Sequence, residues 1–121
     1  MSGSTRDDVL DLCAGLPGAV EDYPFGDDVA VFKVGGRMFA SIMLSGSPGF
    51  VNLKCDPSLA LELRARFPSV RPGYHADKRH WNSVDLDGAL PDGELREMVR
   101  HSYDLVVARL TRAQRAELAG G

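Results

Sequence analysis

Two β-rich runs joined by a pair of glycines constrain the fold of this chain more than any other feature. The runs are VAVFKV and RMFASIML, and Gly35 and Gly36 lie between them. A two-residue hairpin turn needs positive φ at its central residues, which glycine adopts without steric cost. The sequence therefore predicts an antiparallel β-hairpin over residues 29–44.

Further strands are predicted on both sides of this hairpin. The short run AVEDYPF precedes it and indicates an edge strand or an extended arm over residues 19–25. After the SGSPG loop, the alternation in GFVNLKC predicts a third strand. A loop containing Pro, Gly, Asp and Asn then leads into a strand over about residues 81–86, closed by Asp87 and Gly88.

Capping and helix-breaking residues mark two helices in the first two thirds of the chain. Thr5 caps the first helix, which is expected to run to about Leu16 before a Pro-Gly pair. Asp56 caps the second, which begins at Pro57 and ends before Pro68.

Two more helices are predicted after residue 90. Pro91 and Asp92 open a long one, whose apolar stripe reaches Leu110, and Thr111 caps a short last one. Strands that are neighbours in sequence, with helices on one face, favour an α+β fold over a doubly wound parallel sheet. We therefore expect an antiparallel β-sheet backed by helices in a two-layer sandwich.

Length and composition favour one soluble domain spanning residues 1–121. The chain has 121 residues, of which 44% are hydrophobic, so it can form a core without disulfides or metals. It contains no apolar run of membrane-spanning length, and its acidic N-terminal segment is unlike a signal peptide. We therefore expect a cytoplasmic protein with no membrane partner, in which Cys13 and Cys55 are reduced and mostly buried.

Positive charge is concentrated in the middle of a chain whose net charge is −3. Residues 1–53 carry 3 basic and 7 acidic side chains, residues 54–81 carry 6 and 3, and residues 82–121 carry 5 and 7. The middle segment combines cations with histidine and aromatic rings. Guanidinium and ammonium groups neutralise phosphate, and aromatic rings stack on bases. The candidate binding residues are Lys54, Arg71, Tyr74, His75, Lys78, Arg79 and His80.

Common enzyme and metal motifs are absent from the sequence. It contains no G-x-G-x-x-G, Walker-type phosphate loop, H-E-x-x-H, C-x-x-C or G-x-S-x-G pattern. His75 and His80 flank two cations and lack an obvious third ligand other than Asp77, which disfavours a metal site. His101 is expected to be a packed or hydrogen-bonded structural residue. No cofactor, metal or catalytic residue is predicted.

The segment from Lys54 to Asp92 resembles the MmcQ/YjbR-like family of small bacterial proteins. The resemblance lies in K-C-D-P followed by P-x-V-x-P-G-Y-H-x-x-K-x-H-W, and it continues in HSYDLVVARL and in EDYPFGDDVAVFKVGGRMFA. It implies a fold similar to that of CyaY (frataxin) and a role in DNA binding through a double-wing arrangement. The family signature falls on Lys54, Pro72, Gly73, Tyr74, His75, Lys78, His80 and Trp81.

Three hypotheses of function follow from the sequence. The first is a non-enzymatic protein that binds double-stranded DNA weakly, with strong dependence on salt, because the net charge is negative. The second is a site for a small anion or a nucleotide, with or without enzymatic activity, in which a pocket encloses His75 and His80. The third is a protein interaction module that uses an exposed apolar face between Val29 and Leu44.

Overall fold

The computed structural model describes residues 5–120 and confirms the predicted α+β fold. Six strands form one antiparallel sheet in the order β1-β2-β3-β4-β6-β5. The elements in chain order are α1 Arg6–Ala14, β1 Val20–Asp22, β2 Val29–Val34, β3 Arg37–Met43, β4 Phe50–Lys54, α2 Pro57–Arg66, β5 Val70–Pro72, β6 Trp81–Asp85, α3 Asp92–Val107 and α4 Arg112–Gly120.

The central hairpin forms where the two glycines predict it. Val34 pairs with Arg37 across the turn, and Gly35 and Gly36 have φ of 59° and 81°. A side chain at Gly35 would also clash, since an added Cβ would lie 2.5 Å from a methyl carbon of Leu110. The turn therefore requires glycine both for its backbone conformation and for the close approach of the segment after α3.

The hairpin contains an irregularity that the sequence does not predict. Phe32 pairs with Ala40 but Lys33 pairs with Met38, so Phe39 is an extra residue in β3. Both Phe39 and Ala40 are buried, and the Phe39 ring packs edge-on against Tyr103 of α3 with centroids 5.4 Å apart. The bulge lets two successive residues of one strand face the helices.

A buried serine on α3 satisfies the backbone groups next to this bulge. The Ser102 hydroxyl donates to the carbonyl oxygen of Phe39 at 2.5 Å and accepts from the backbone N–H of Lys54 at 2.8 Å. Ser102 therefore bridges β3 and β4 where the strand ladder is interrupted. Its neighbours attach α3 at two further points: Tyr103 donates to the carbonyl of Pro17 at 2.6 Å, and His101 Nε2 accepts from the N–H of Asp56 at 3.2 Å.

The helices α1, α2 and α3 cover one face of the sheet. Alternate strand residues such as Ile42, Val51, Leu53 and Val84 belong to one buried cluster with residues of α1, α2 and α3. The other set of alternate residues faces away from this cluster, and we call that side the open face. The apolar residues of the open face that lie outside the main cluster are Val29, Val31, Met38, Met43 and Phe50.

The structure corrects several predicted boundaries. Residues 70–72, predicted as loop, form the edge strand β5, in which Val70 pairs with Val84 and Pro72 with Asn82. Three residues are too few to show a periodic pattern, and proline is tolerated at the edge because it has no ladder hydrogen bond to lose. The predicted strand at 19–25 is shortened to Val20–Asp22, and the first helix ends at Ala14.

The predicted capping of the first helix is confirmed. Thr5 accepts from the N–H of Asp8, and the Asp8 carboxylate accepts from the N–H of Thr5. In the long helix, Leu110 lies beyond the last turn, and the buried stripe also includes Ser102 and Tyr103. Among the helices of the described residues, none is long and apolar enough to cross a membrane.

We predict that Ser102→Ala destabilises the protein by about 1–3 kcal/mol, because the Phe39 carbonyl and the Lys54 N–H would lose their buried partner. Urea unfolding of both proteins measures this difference. Ser45→Ala, at an exposed serine, should change the free energy of unfolding by less than about 0.5 kcal/mol. If the two variants were equally stable, Ser102 would not link the strands.

Candidate functional site

Four of the predicted site residues meet at one end of the sheet, where β4 ends and β6 begins. Lys54 pairs with Trp81, and the N–H of Cys55 donates to the carbonyl of His80 at 2.7 Å. Lys78 and Arg79 precede His80 in the loop that joins β5 to β6. The antiparallel pairing of β4 with β6 therefore brings Lys54 next to residues more than twenty positions later.

Two further cations lie near this end of the sheet. Burial lowers the pKa of Lys54, and the positive charges of Arg109 and Arg37 lower it further. No carboxylate among residues 5–120 forms an ion pair with Lys54. We call Arg37, Lys54, Lys78, Arg79 and Arg109 the basic end. The sequence did not indicate Arg37 and Arg109, because only the hairpin and α3 bring them close to Lys54.

Local hydrogen bonds shape the loop between β5 and β6. Lys78 Nζ donates to the carbonyl of Gly73 at 3.1 Å, and an Asp77 carboxylate oxygen accepts from the N–H of Arg79 at 3.0 Å. Gly73 packs so closely on β6 that an added Cβ would lie 2.8 Å from the Cβ of Trp81. Pro72 and Gly73 thus start the loop at a point of close backbone contact with β6.

Arg64 of α2 holds the other side of the same loop. Its Nε donates to the side-chain oxygen of Asn82 at 2.7 Å, and its Nη2 donates to the carbonyls of Lys78 and, at 3.3 Å, of Trp81. Arg64 therefore uses its donors within the protein and acts as a positioning residue for Lys78 and Arg79.

Arg71 lies apart from the basic end and is already paired. Its guanidinium donates to both carboxylate oxygens of Asp85, at 3.0 and 2.7 Å, and lies 5.6 Å from the ring centroid of Phe50. The hydrogen bond to Asp85 raises the pKa of Arg71. Much of its charge is therefore balanced locally.

Tyr74 and His75 line a pocket on the open face. The pocket has a volume of about 310 Å³, and its walls include Phe25, Met38, Met43 and Phe50. The Tyr74 ring contacts Phe50 edge-on with centroids 5.6 Å apart, and the His75 ring lies 4.0 Å from Tyr74. His80 is not part of this wall, so the pocket does not unite the two histidines.

A polar network fixes Tyr74 to the sheet. Its N–H donates to the hydroxyl of the buried Ser83 at 2.9 Å, and its carbonyl accepts from Asn52 Nδ2 at 3.2 Å. Ser83 in turn donates to Asn52. The next residue, His75, has a φ of 53°, a left-handed conformation that is uncommon for a side chain other than glycine. The network fixes the backbone that carries both rings.

Within residues 5–120, the histidine, cysteine and carboxylate side chains form no metal site, and the cysteine thiols are buried. No group of three or more His, Cys, Asp or Glu side chains there could hold a metal ion. Both cysteines are free and buried, and burial raises the pKa of Cys13 to about 12 and that of Cys55 to about 11. A second cavity, of about 290 Å³, lies between α2 and α3 with Glu94, Glu97 and His101 in its wall.

Comparisons with known proteins agree on one family. The family model for YjbR matches residues 14–105. The chain belongs to the YjbR family. A YjbR relative from Escherichia coli O157:H7, "Uncharacterized protein YbdF", is 38% identical over 111 residues, which cover 91% of this chain and 90% of that protein. "Uncharacterized protein YjbR" of Escherichia coli K12 is 34% identical over 111 residues, which cover 92% of this chain and 94% of that protein.

Two solved structures are similar to this chain in fold. The crystal structure of a Deinococcus radiodurans protein with a DUF419 domain has a TM-score of 0.89 and 43% identity, covering 95% of this chain and 88% of that one. The crystal structure of a Pseudomonas syringae protein has a TM-score of 0.74 and 26% identity, and the match covers 85% of this chain and 99% of that one. These relatives support the family and the fold and name no activity.

We predict that Arg64→Ala lowers the free energy of unfolding by about 1–3 kcal/mol, because several charged hydrogen bonds are lost. Amide hydrogen exchange should also become faster in residues 78–81. Arg66→Ala, on the same helix, removes an exposed ion pair at 3.9 Å and the contact of the Arg66 guanidinium with the Phe67 ring at 4.8 Å, and it should change stability by less than about 1 kcal/mol. Equal exchange rates in both variants would show that Arg64 does not position the loop.

We predict that neither cysteine reacts with a thiol reagent at pH 8 until denaturant is added, because their raised pKa values leave almost no thiolate. Both should react after unfolding. An unfolded thiol ionises near its usual pKa of 9.0. Burial of the two neutral thiols therefore contributes fully to the free energy of unfolding below pH 9. This contribution falls as the pH rises towards 11 and 12, the raised pKa values of Cys55 and Cys13. Rapid labelling of the native protein would contradict this.

Proposed function

We propose that this protein binds DNA by contacting backbone phosphates with its basic end. The observation that carries the proposal is the convergence of Lys54, Arg37 and Arg109: burial lowers the pKa of Lys54, and the positive charges of Arg109 and Arg37 lower it further. Like charges brought together without an acidic partner are unfavourable in the free protein. A bound phosphate would relieve that repulsion.

Several carboxylates lie at the end of the sheet opposite the basic end. Asp27 and Asp28 precede β2, and Asp85 and Asp87 lie at the end of β6, so all four belong to the end opposite Lys54. Two carboxylates near the basic end already accept backbone hydrogen bonds. Asp56 caps α2, and Asp77 accepts from the N–H of Arg79 in the loop before β6. A protein with net charge −3 can therefore present a positive surface in one direction.

The loop between β5 and β6 presents its cations outward. Arg79 and Lys78 are exposed, and the Arg79 side chain forms no ion pair among residues 5–120. Arg64 holds the loop backbone at the carbonyls of Lys78 and Trp81, and Lys78 Nζ donates to the carbonyl of Gly73, so the loop keeps its position without an ion pair to Lys78 or Arg79 among residues 5–120. A fixed loop loses less conformational entropy when it binds a phosphate.

The geometry favours DNA over an enzyme that uses both histidines. Such an enzyme would need His75 and His80 in one pocket, but only His75 lines the open-face pocket. None of the five cations of the basic end belongs to the wall of that pocket. Positive charge on the surface at one end of the sheet is better suited to a long polyanion than to a small enclosed one.

We predict that Arg79→Ala weakens binding to a DNA duplex about tenfold at roughly 50 mM salt, because one charged contact is lost. Fluorescence anisotropy at several salt concentrations should also show a salt dependence whose slope is reduced by about one. Lys54→Ala should have a similar effect.

Arg96→Ala is the matched control. It removes the same charge from α3, where Arg96 is paired with Asp92 at 3.0 Å, and it should leave DNA affinity within about twofold. Absence of duplex binding at low salt would refute the proposed function. So would equal losses of affinity in Arg79→Ala and Arg96→Ala, since the effect would then depend on net charge alone.

A further inference from the structure

Phosphate contacts at the basic end leave the open-face pocket without a role. Its apolar wall is separate from the main core, and two aromatic side chains at its rim are unusually exposed, Phe25 by 72% and Tyr74 by 48%. Exposing large rings to water is unfavourable unless they contact something else. Hydrogen bonds fix the backbone of Tyr74, and its ring contacts the rings of Phe50 and His75 at the pocket.

The chemistry of the pocket suits a flat ring with polar edges. Phe25, Met38, Met43 and Phe50 provide an apolar surface, whereas Ser41, Tyr74 and His75 bring hydroxyl and imidazole groups to the wall. No hydrogen bond to another described residue engages the Ser41 hydroxyl, the Tyr74 hydroxyl or the His75 ring. These groups are free to pair with a ligand.

The size of the pocket limits the ligand. A volume of about 310 Å³ lies at the lower end of the range for small-molecule sites, which is roughly 300–1,000 Å³. One planar ring system fits such a volume, but two stacked base pairs do not. The site therefore fits a single ring system better than an intact duplex.

The same loop connects the pocket to the basic end. Tyr74 and His75 lie at the start of the loop between β5 and β6. Lys78 and Arg79 follow a few residues later, where hydrogen bonds from Arg64 and from Lys78 to Gly73 hold the loop. Proteins that bind single-stranded nucleic acid combine a positive track for the backbone with aromatic side chains that stack on bases. Here the two parts lie side by side.

We infer that the open-face pocket receives one unpaired nucleobase, stacked on Tyr74 and covered by Phe25, while the basic end holds the adjoining phosphates. This inference rests on the proposed function and narrows it. Bases in a duplex are stacked and paired, so they cannot enter the pocket without opening. The protein should therefore prefer single-stranded nucleic acid, or sites where a base is already unpaired, over a continuous duplex.

The test compares a fluorescently labelled single strand with the duplex of the same sequence by anisotropy. The single strand should bind more tightly to the unaltered protein. Tyr74→Ala should weaken single-strand binding by between about fivefold and about a hundredfold, with duplex affinity unchanged. Phe25→Ala should act in the same direction, and it provides a variant whose exposed side chain contributes little to folding.

Tyr23→Ala is the matched control, because Tyr23 is an exposed tyrosine, 42% accessible, that lies outside the pocket wall and bonds to Glu21. It should leave single-strand affinity unchanged. Equal losses in Tyr74→Ala and Tyr23→Ala would overturn the inference, and so would equal affinity of the unaltered protein for the two forms of DNA. In both cases, duplex binding that depends on Arg79 would still support the proposed function.

A second measurement separates the pocket from the phosphate contacts. Uncharged nucleosides, adenosine and thymidine, carry a base but no phosphate, so their binding does not depend on the basic end. NMR titration should shift the resonances of Phe25, Ser41 and Tyr74, and Tyr74→Ala should abolish the response. No shift at these residues at millimolar nucleoside would overturn the inference even if DNA binds elsewhere on the protein.

Discussion

The contact between Ser102 and two neighbouring strands is the interaction on which the rest of the structure depends. The bulge at Phe39 turns two successive residues of β3 toward the helices, and it leaves the Phe39 carbonyl and the Lys54 N–H without partners in the strand ladder. Buried backbone groups without hydrogen bonds are costly, so the bulge is acceptable only because a hydroxyl from α3 reaches both. The residues on either side of Ser102 complete the attachment: His101 accepts from the N–H of Asp56, and Tyr103 reaches Pro17. Three consecutive residues thus determine how α3 lies on the sheet.

This docking also determines the charge distribution. Because α3 reaches the sheet at Phe39 and Lys54, the segment after it brings Arg109 to the end where β4 finishes, and the hairpin turn brings Arg37 there. The antiparallel pairing of β4 with β6 adds Lys78 and Arg79 from the loop before β6. Cations that are far apart in sequence become neighbours, while the carboxylates of Asp85 and Asp87 collect at the opposite end. The proposed DNA contacts therefore depend on strand pairing, which joins Lys54, Lys78 and Arg79 to cations outside the basic middle segment.

The loop between β5 and β6 links the two proposed parts of the site. Arg64 and the network of Asn52 and Ser83 hold it at both ends, which places Tyr74 and His75 over the open-face pocket and Lys78 and Arg79 beside the basic end. In the proposed complex, one short segment contacts both a base and its phosphates. Arg64 touches neither, yet its loss would disturb both sets of residues.

The sequence by itself determined the class of fold, the hairpin at Gly35 and Gly36, and the start of each helix, because turns and caps depend on local backbone preferences. It also indicated the segment from Lys54 to Trp81, since charge and aromatic content are countable. Only the tertiary structure decided that Arg71 is paired with Asp85, that residues 70–72 form an edge strand, and that Arg37 and Arg109 join Lys54. It also separated the candidate residues into a basic end and an aromatic pocket. Those outcomes depend on which strands pair and on which face each side chain lies, and neither is encoded in the spacing of nearby residues.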